Sequence, residues 1–554
     1  MTDRRLHDVL ADAFVAEGVD THFALLGDAN MHWATVMAEQ HQVRTIHARH
    51  EHCACAMATA YAHVTGRVGV ASVTHGPGFT QTMTALATAA RGEIPLLLFA
   101  GETPTTNTWT LQHIDQAPLA RACGAEYIQI QSVKHALDRV REAFSIARYE
   151  HKPVVLGVPS DLQRALVPDA PAYVPSTAIV PHAESPAPDA ESVNTIVKMI
   201  EKAERPIIIA GRGAVLADAK AEVRALAEKI GAALATTLPS RGLFDDDAYG
   251  LGIAGGWASE IAGELFAQSD LVIAIGASLT GHTTHGGKLF PKARIVQVDS
   301  HPRAMKHSRR VADYHMRSDA KAGVAAINKL LAERKVSRTG LRTPEMKRRI
   351  GQSVDTAEYP IPPGTFDPRL AVQALNRVIP KDWFVVGGSG HNAYFAATNM
   401  PGRPPELYSN IRDFGAIGSN LAHAIGIAVA RNDRKVLLID GDGSLLMHIQ
   451  ELETIARHNL KMLIVTLNDG AYGSEVHKLR HDGFSDKEVQ FGRTDFASMA
   501  QGFQLRGKKV TDLGQLDAMF ADHMQGNQAE IWDVPISGDV LSLQFRREQT
   551  EKKH

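Results

Sequence analysis

The chain lacks most of the marks of a secreted, membrane-bound or nucleic-acid-binding protein. Its 554 residues contain three cysteines, Cys53, Cys55 and Cys123. That is too few for a disulfide framework, and their spacing fits no metal site. Cys53 and Cys55, two apart, would point different ways on a helix and read as small core residues. Net charge is only −2, and no basic block supplies the field that draws nucleic acid or an anionic membrane. The opening MTDRRLHDVL has no apolar signal core, and no run reaches the roughly 18 apolar residues of a spanning helix. A reducing, cytoplasmic setting is the expectation. Tandem repeats and low-complexity segments are absent too.

What is present is a soluble globular composition, 44% hydrophobic and 22% charged, long enough for three or four domains at roughly 150 residues each. Short aliphatic runs alternate with amphipathic stretches, the pattern of mainly parallel sheets flanked by helices. VRTIHA, VGVASVT, PLLLFAG and PVVLGVP are strand candidates in the first third, with helices expected over 52–65 and 80–90. The proline-dense VPDAPAYVPSTAIVPHAESPAPDA reads as a linker without regular structure. RPIIIAGRGA, DLVIAIGASL and ARIVQVDSHP mark a second block. EYPIPPGTFDP leads to a third, with DWFVVGGSG, VLLIDGDG and MLIVTLND. The expected fold is α/β with three domains, spanning 1–165, 190–335 and 365–540.

The third block carries the most specific signal. Asp442 ends one aliphatic run between glycines, and Asn468-Asp469 ends the next after a helical stretch with Leu452, Ile455 and Ala456 on one face. Ligands sit at the carboxyl ends of strands in open parallel sheets. Asp442, expected at a solvent-facing strand end, and the Asn468-Asp469 pair would bring hard oxygen atoms suited to Mg²⁺ shared with phosphates and water. Gly443 and Ser444 offer an N–H and a hydroxyl to the same phosphate. A glycine-flanked aspartate alone is as often a turn residue; the pairing with Asn-Asp is what lends specificity.

That pairing resembles the metal- and diphosphate-binding motif of thiamine-diphosphate enzymes. The resemblance implies metal binding by Asp442, Asp469 and the main chain at Ala471, although the family usually has asparagine at the position of Asp469. HARHEHCACAMATAYAHVTGRVGVASVTHGPG resembles the corresponding segment of acetolactate synthases and related 2-oxo acid decarboxylases. It implies that Glu51 protonates the cofactor's pyrimidine ring, a task for a carboxylic acid in a dry site. Taken alone, a glutamate at a helix start is more often a partner of the helix dipole. DFGAIGSNLAHAIG implies contact of the Gly415 backbone with the aminopyrimidine and Ile417 as the apolar wedge under the cofactor. GSGHNAY implies Gly390, His391 and Asn392 at a phosphate. The family places Glu51 and the diphosphate site on different subunits, so a homodimer is the expected minimum, often paired into a tetramer.

The central block has Gly211 and Gly213 but Leu216 where a dinucleotide fingerprint wants glycine, and Asp299 lies too far downstream. Related synthases hold FAD there, so FAD is an option that the residues do not favour.

Candidate polar residues around the reacting carbon are Asp28, His75, Gln112, His113 and Glu475. Gln112 fits the synthase pattern. Asp28, His113 and Glu475 fall near acids and histidines of pyruvate-decarboxylase-like members, and His75 near a histidine of benzoylformate-decarboxylase-like members. The leading expectation is a 2-oxo acid decarboxylase or acetolactate-synthase-like carboligase acting on a small carbonyl substrate. Alternatives are hydrolytic or lytic cleavage of a diketone, and a non-catalytic subunit. Retention of Glu51, Asp442 and Asp469 speaks against the last.

Overall fold

A computed structural model describes residues 4–107, 109–168, 172–180, 185–301, 305–306 and 309–551. Three six-stranded parallel sheets succeed one another along the chain. In the first, strands Arg44–His47, Thr21–Ala24, Gly69–Val73, Leu96–Glu102, Pro153–Pro159 and Glu126–Gln129 lie side by side in that order. The third sheet, from Phe384–Gly387 to Glu530–Pro535, repeats this order of 2-1-3-4-6-5, counted within the domain. The central sheet, from Pro206–Ala210 to Tyr314–Arg317, runs 3-2-1-4-5-6 instead.

All ten aliphatic runs form strands, because buried parallel strands must be apolar on both faces. The strands that were not expected are short and mostly at sheet edges, such as Glu126–Gln129, Tyr408–Ser409 and Arg506–Lys509, where polar residues are tolerated. Two helical expectations shift. The first helix starts one residue earlier, over Glu51–Thr65, and the second splits into Pro77–Thr80 and Met83–Gly92. Cys53 and Cys55 are fully buried, as small core residues should be.

The proline-rich linker is not without structure in its described part. Leu166–Val167 pairs antiparallel with Arg4–Arg5, and Ser176–Ile179 forms one helical turn. The turn is anchored by buried Glu17, which accepts from Ser176 N at 2.6 Å and from Ser176 Oγ at 2.8 Å. Residues 169–171 and 181–184 of that linker lie outside the described residues.

The first and third domains share one core. Helix Glu51–Thr65 lies against helix Asn420–Arg431, and the two backbones touch at Gly426. A Cβ there would stand 2.2 Å from the Met57 carbonyl oxygen, so only glycine permits this approach. Among the described residues, no helix is long and apolar enough to cross a membrane.

Candidate active site

Each sheet has a topological switch point, where the connections from adjacent strands leave in opposite directions and open a crevice. In the third sheet it falls between strands Phe384–Gly387 and Val436–Gly441. The expected cofactor and metal residues collect there. Gly390, His391, Asn392, Ile417, Gly443 and Ser444 line one cleft together with Asp442, Asp469 and Ala471.

Asp442 is buried rather than solvent-facing, at 2% exposure. The reason is local: the strand passes into helix Asp442–Met447 without a loop. One carboxylate oxygen of Asp442 accepts from Gly443 N at 2.8 Å, and the other from Gly470 N at 2.6 Å, across the mouth of the neighbouring strand. Asp469 accepts from Ala471 N at 3.2 Å. Burial, and then the Asp469 carboxyl, drive the Asp442 pKa upward; burial does the same for Asp469. Among the described residues, neither forms an ion pair with lysine or arginine, and no third His, Cys, Asp or Glu completes a metal cluster. Two facing carboxylates with no direct ion pair, only the more distant Arg493 charge acting on Asp469, fit a hard divalent cation that takes its other ligands from main chain, water and phosphate.

Asn468 does not share in this. Consecutive strand residues point to opposite faces, and the Asn468 amide donates to Thr494 O and Asp533 Oδ1, both at 2.9 Å. The donors expected from Gly443 and Ser444 are also engaged within the protein. Gly443 N serves Asp442, and the Ser444 hydroxyl donates to Asp440 at 2.9 Å. Ser444 in turn accepts from Gly418 N at 3.0 Å and Asn420 Nδ2 at 3.1 Å, fixing the segment that carries Ile417.

Asp440, which the sequence reading did not single out, braces this segment from beneath. It is fully buried, its pKa is pushed up to about 7 by that burial, and it also accepts from Gly441 N at 2.9 Å and Asn420 Nδ2 at 3.1 Å. The signal was available: Asp440 and Asp442 are both acidic, two apart, at one strand end.

On the other side of the cleft, Gly390 (φ 95°) turns the chain into helix His391–Thr398. Asn392 ties that turn to the opposite strand: with its amide turned so that oxygen meets donor and nitrogen meets acceptor, it accepts from Gly441 N at 2.9 Å and donates to Ser389 O at 2.8 Å. The His391 Nε2 accepts from Ser542 N at 3.1 Å, and burial, then His477, hold its pKa well below 6.5. The neutral ring therefore carries its proton on Nδ1, on the side of Gly473, where it is a donor for an anion. Ile417 is half-buried in the cleft; Gly415 (φ 79°) stays exposed beside it. Glu475 lines the cleft rim and pairs with Lys478 at 3.1 Å.

The first domain assembles a second group at its own switch point, between strands Thr21–Ala24 and Gly69–Val73. Asp28 follows one strand and His75 the other. His75 is buried with neither ring nitrogen hydrogen-bonded among the described residues. Burial lowers its pKa most; the Asp28 carboxylate raises it and His113 lowers it, so all three act on one spot. The His113 Nδ1 is 3.0 Å from Thr103 Oγ1. Gly76 (φ 63°) packs on the Gln112 main chain, whose carbonyl oxygen lies 2.1 Å from where a Cβ would stand. Gln116, also missed, links the two loops: it accepts from Gly76 N at 3.1 Å and donates to Gly101 O at 3.0 Å. Glu51 is half-buried in the first turn of its helix, 3.5 Å from the place of a Cβ on Gly78.

Within one chain these are two groups, not one. Glu51, Asp28, His75, Gln112 and His113 do not line the cleft of Asp442 and Asp469; Glu475 alone among the polar substrate candidates does. A separate cavity of about 410 Å³ lies at the amino end of the first sheet, but its arginines are committed, Arg67 to Asp20 and Arg148 to Glu17.

Comparison with known proteins agrees with this division. Residues 4–119 match the thiamine pyrophosphate enzyme N-terminal TPP binding domain, 193–327 the central domain, and 388–533 the C-terminal TPP binding domain. The acetolactate synthase large subunit of Parasynechococcus marenigrum (strain WH8102) is 30% identical over 95% of this chain and 86% of its own length. The acetolactate synthase isozyme 2 large subunit of Escherichia coli K12 is 28% identical over 91% of both chains. Acetolactate synthase 2, chloroplastic, of Nicotiana tabacum is 29% identical over 85% of this chain and 72% of its own. With thiamine-diphosphate-binding domains at both ends, a matching centre and near full-length relatives, the chain belongs to the thiamine pyrophosphate enzyme family, as an acetolactate-synthase-like member.

Proposed function

We propose that the protein is a thiamine-diphosphate- and Mg²⁺-dependent enzyme that decarboxylates a 2-oxo acid and releases the product as an aldehyde or joins it to a second carbonyl compound. The observation that carries this is the pair Asp442–Asp469, buried and half-buried, facing each other at the strand ends of the third sheet without an ion pair to lysine or arginine among the described residues. These two carboxylates and the Ala471 main chain would hold the cation. His391 and the helix start at Gly390 would hold the diphosphate, with Ile417 beneath the ring system. When bound, thiamine diphosphate supplies the nucleophilic carbon and the electron sink for breaking a bond next to a carbonyl.

The chain's own residues then decide the outcome. Glu51 would exchange a proton with the pyrimidine nitrogen. Asp28, His75, His113 and Glu475 would place protons near the reacting carbon, favouring aldehyde release, while Gln112 would orient a second carbonyl compound. The names of the relatives favour ligation; the Asp28–His75–His113 cluster favours protonation. Because Glu51 and Asp442 lie in separate groups, we propose a homodimer as the working unit. Exposed apolar side chains surround both groups, Trp109 and Leu111 in the first domain and Tyr472 and Phe491 in the third, as surfaces awaiting a second copy would. FAD in the central domain is not part of this proposal.

The test is a screen of purified protein with thiamine diphosphate and Mg²⁺ against 2-oxo acids and diketones, with products identified by NMR. Carbon dioxide release from a 2-oxo acid is expected. Cleavage of a diketone without carbon dioxide, and no turnover of 2-oxo acids, would replace this reading with the hydrolytic or lytic one.

A further inference from the structure

The segment that delivers Glu51 is held by the third domain as well as by its own sheet, where Ala48 N donates to Ala24 O at 2.9 Å. Strand Arg44–His47 ends just before residues 48–50, which lead into the helix that starts at Glu51. Against it lies the third-domain helix Glu451–Arg457, followed by His458. Three of its side chains, at i, i+3 and i+7, share one face. All three reach main-chain atoms of this segment. His47 N donates to His458 Nε2 at 2.9 Å. Thr454 Oγ1 lies 3.3 Å from the His47 carbonyl oxygen. Arg49 N donates to both oxygens of Glu451, at 3.0 and 3.2 Å.

Glu451 is the centre of this clamp. It is fully buried, at 0% exposure, and is not paired with a lysine or arginine among the described residues. It accepts instead from Arg49 N and, at 2.6 Å, from the Thr454 hydroxyl, while the nearby His50 N–H and Cys53 thiol offset part of the rise that burial gives its pKa. A buried carboxylate is costly unless its hydrogen bonds are complete. Here every partner but Thr454 belongs to the turn that starts the Glu51 helix. An acceptor that holds the N–H just ahead of a helix's N-cap fixes where that helix starts. The bonds are to main chain, so they hold the position of residue 51 whatever its side chain does.

We infer that Glu451, with Thr454 and His458, is the positioning device of Glu51: it sets where the catalytic carboxyl stands, without itself touching cofactor or substrate. The inference rests on the reading of Glu51 as the acid, and the two can be tested apart. Glu451→Gln is isosteric but turns an amide NH₂ toward N–H and O–H donors. Thr454→Val is a second, milder variant in case the first folds poorly.

Two measurements separate positioning from general stability. In the cofactor-free protein, amide hydrogen exchange at residues 49–50 should quicken by about tenfold or more in Glu451→Gln, while the rest of the first sheet stays protected. With thiamine diphosphate and Mg²⁺ bound, hydrogen–deuterium exchange at the thiazolium carbon should slow by about 10- to 100-fold. Cofactor affinity, set in the third-domain cleft, should change by no more than about threefold. Thr454→Val should shift both readouts the same way and by less. Unchanged thiazolium exchange in Glu451→Gln, with exchange lost in Glu51→Gln, would overturn the positioning role alone. So would a loss of protection spread through the whole first domain. Wild-type exchange in Glu51→Gln would overturn the acid role of Glu51 and the purpose of the clamp with it.

Discussion

The central and third domains place glycines at the same point, the carboxyl end of a strand beside a switch point, with opposite results. In the central domain the glycines shut the crevice. A Cβ on Gly211 would meet the Gly276 carbonyl oxygen at 2.3 Å, and one on Gly276 the Ala214 nitrogen at 2.3 Å. The N–H of Gly213, a natural phosphate donor, is spent on Gly276 O at 2.9 Å. In the third domain the Gly390 Cβ position has nothing closer than the Asn392 side chain at 3.4 Å, and Ile417 stands 4.0 Å away. Glycine lets a backbone come close to something; only the neighbour says whether that is another loop or space for a ligand. The acids differ as well: among the described residues Asp442 and Asp469 form no ion pair with lysine or arginine, whereas Asp299 accepts from His301 N at 2.9 Å in its own turn.

The severest way to break this contrast is Asp442→Ala. It should weaken Mg²⁺-dependent binding of thiamine diphosphate by more than about 100-fold, read by calorimetry, while the chain stays folded. The added thermal stability that saturating cofactor gives the wild type should vanish as well. Wild-type affinity in this variant would mean the third crevice is no more a cation site than the central one.

Glu51→Gln should leave that affinity intact and slow turnover by about 10²- to 10⁴-fold, with thiazolium exchange suppressed. Mixing Glu51→Gln chains with Asp442→Ala chains extends the test to assembly. If the two groups meet across a dimer, mixed dimers hold one site with both residues intact, and activity should reappear. Persistent inactivity in verified heterodimers would put both residues in one chain's site.

His113→Ala and Glu475→Gln should slow aldehyde formation by about tenfold and raise the share of ligation product when an acceptor aldehyde is supplied, with cofactor affinity little changed. An unaltered product ratio would leave Gln112 and apolar neighbours in control. The smallest effect is expected in the central crevice. Added FAD should neither co-purify nor shift the melting temperature, and Gly213→Ala should alter stability rather than cofactor affinity. Saturable FAD binding would show that crevice opens after all.

The sheets were readable because buried parallel strands such as PVVLGVP and MLIVTL have no alternative but to be aliphatic. That Asp442 and Asp469 meet in one cleft was readable because each ends an aliphatic strand candidate, and adjacent parallel strands bring such ends together. What stayed hidden depends on pairing across long distances. Gln116 and Glu451 look like surface residues in sequence, since nothing local reveals that main-chain N–H groups 40 and 402 residues away need an acceptor. The side-chain direction of Asn468 was hidden for a different reason: the metal motif suggested a pair, and the alternation of the strand separated it.

Gly426 makes the domains poor modules for exchange. The helix that begins at Glu51 is moulded to the third domain of its own chain by a contact in which the Met57 carbonyl occupies the space of a side chain. A first domain borrowed from a relative would bring its acid but not the matching groove. In recombination terms, residues 51–65 and 420–431 must be inherited together, and a crossover anywhere between them splits a unit that the domain boundaries do not mark.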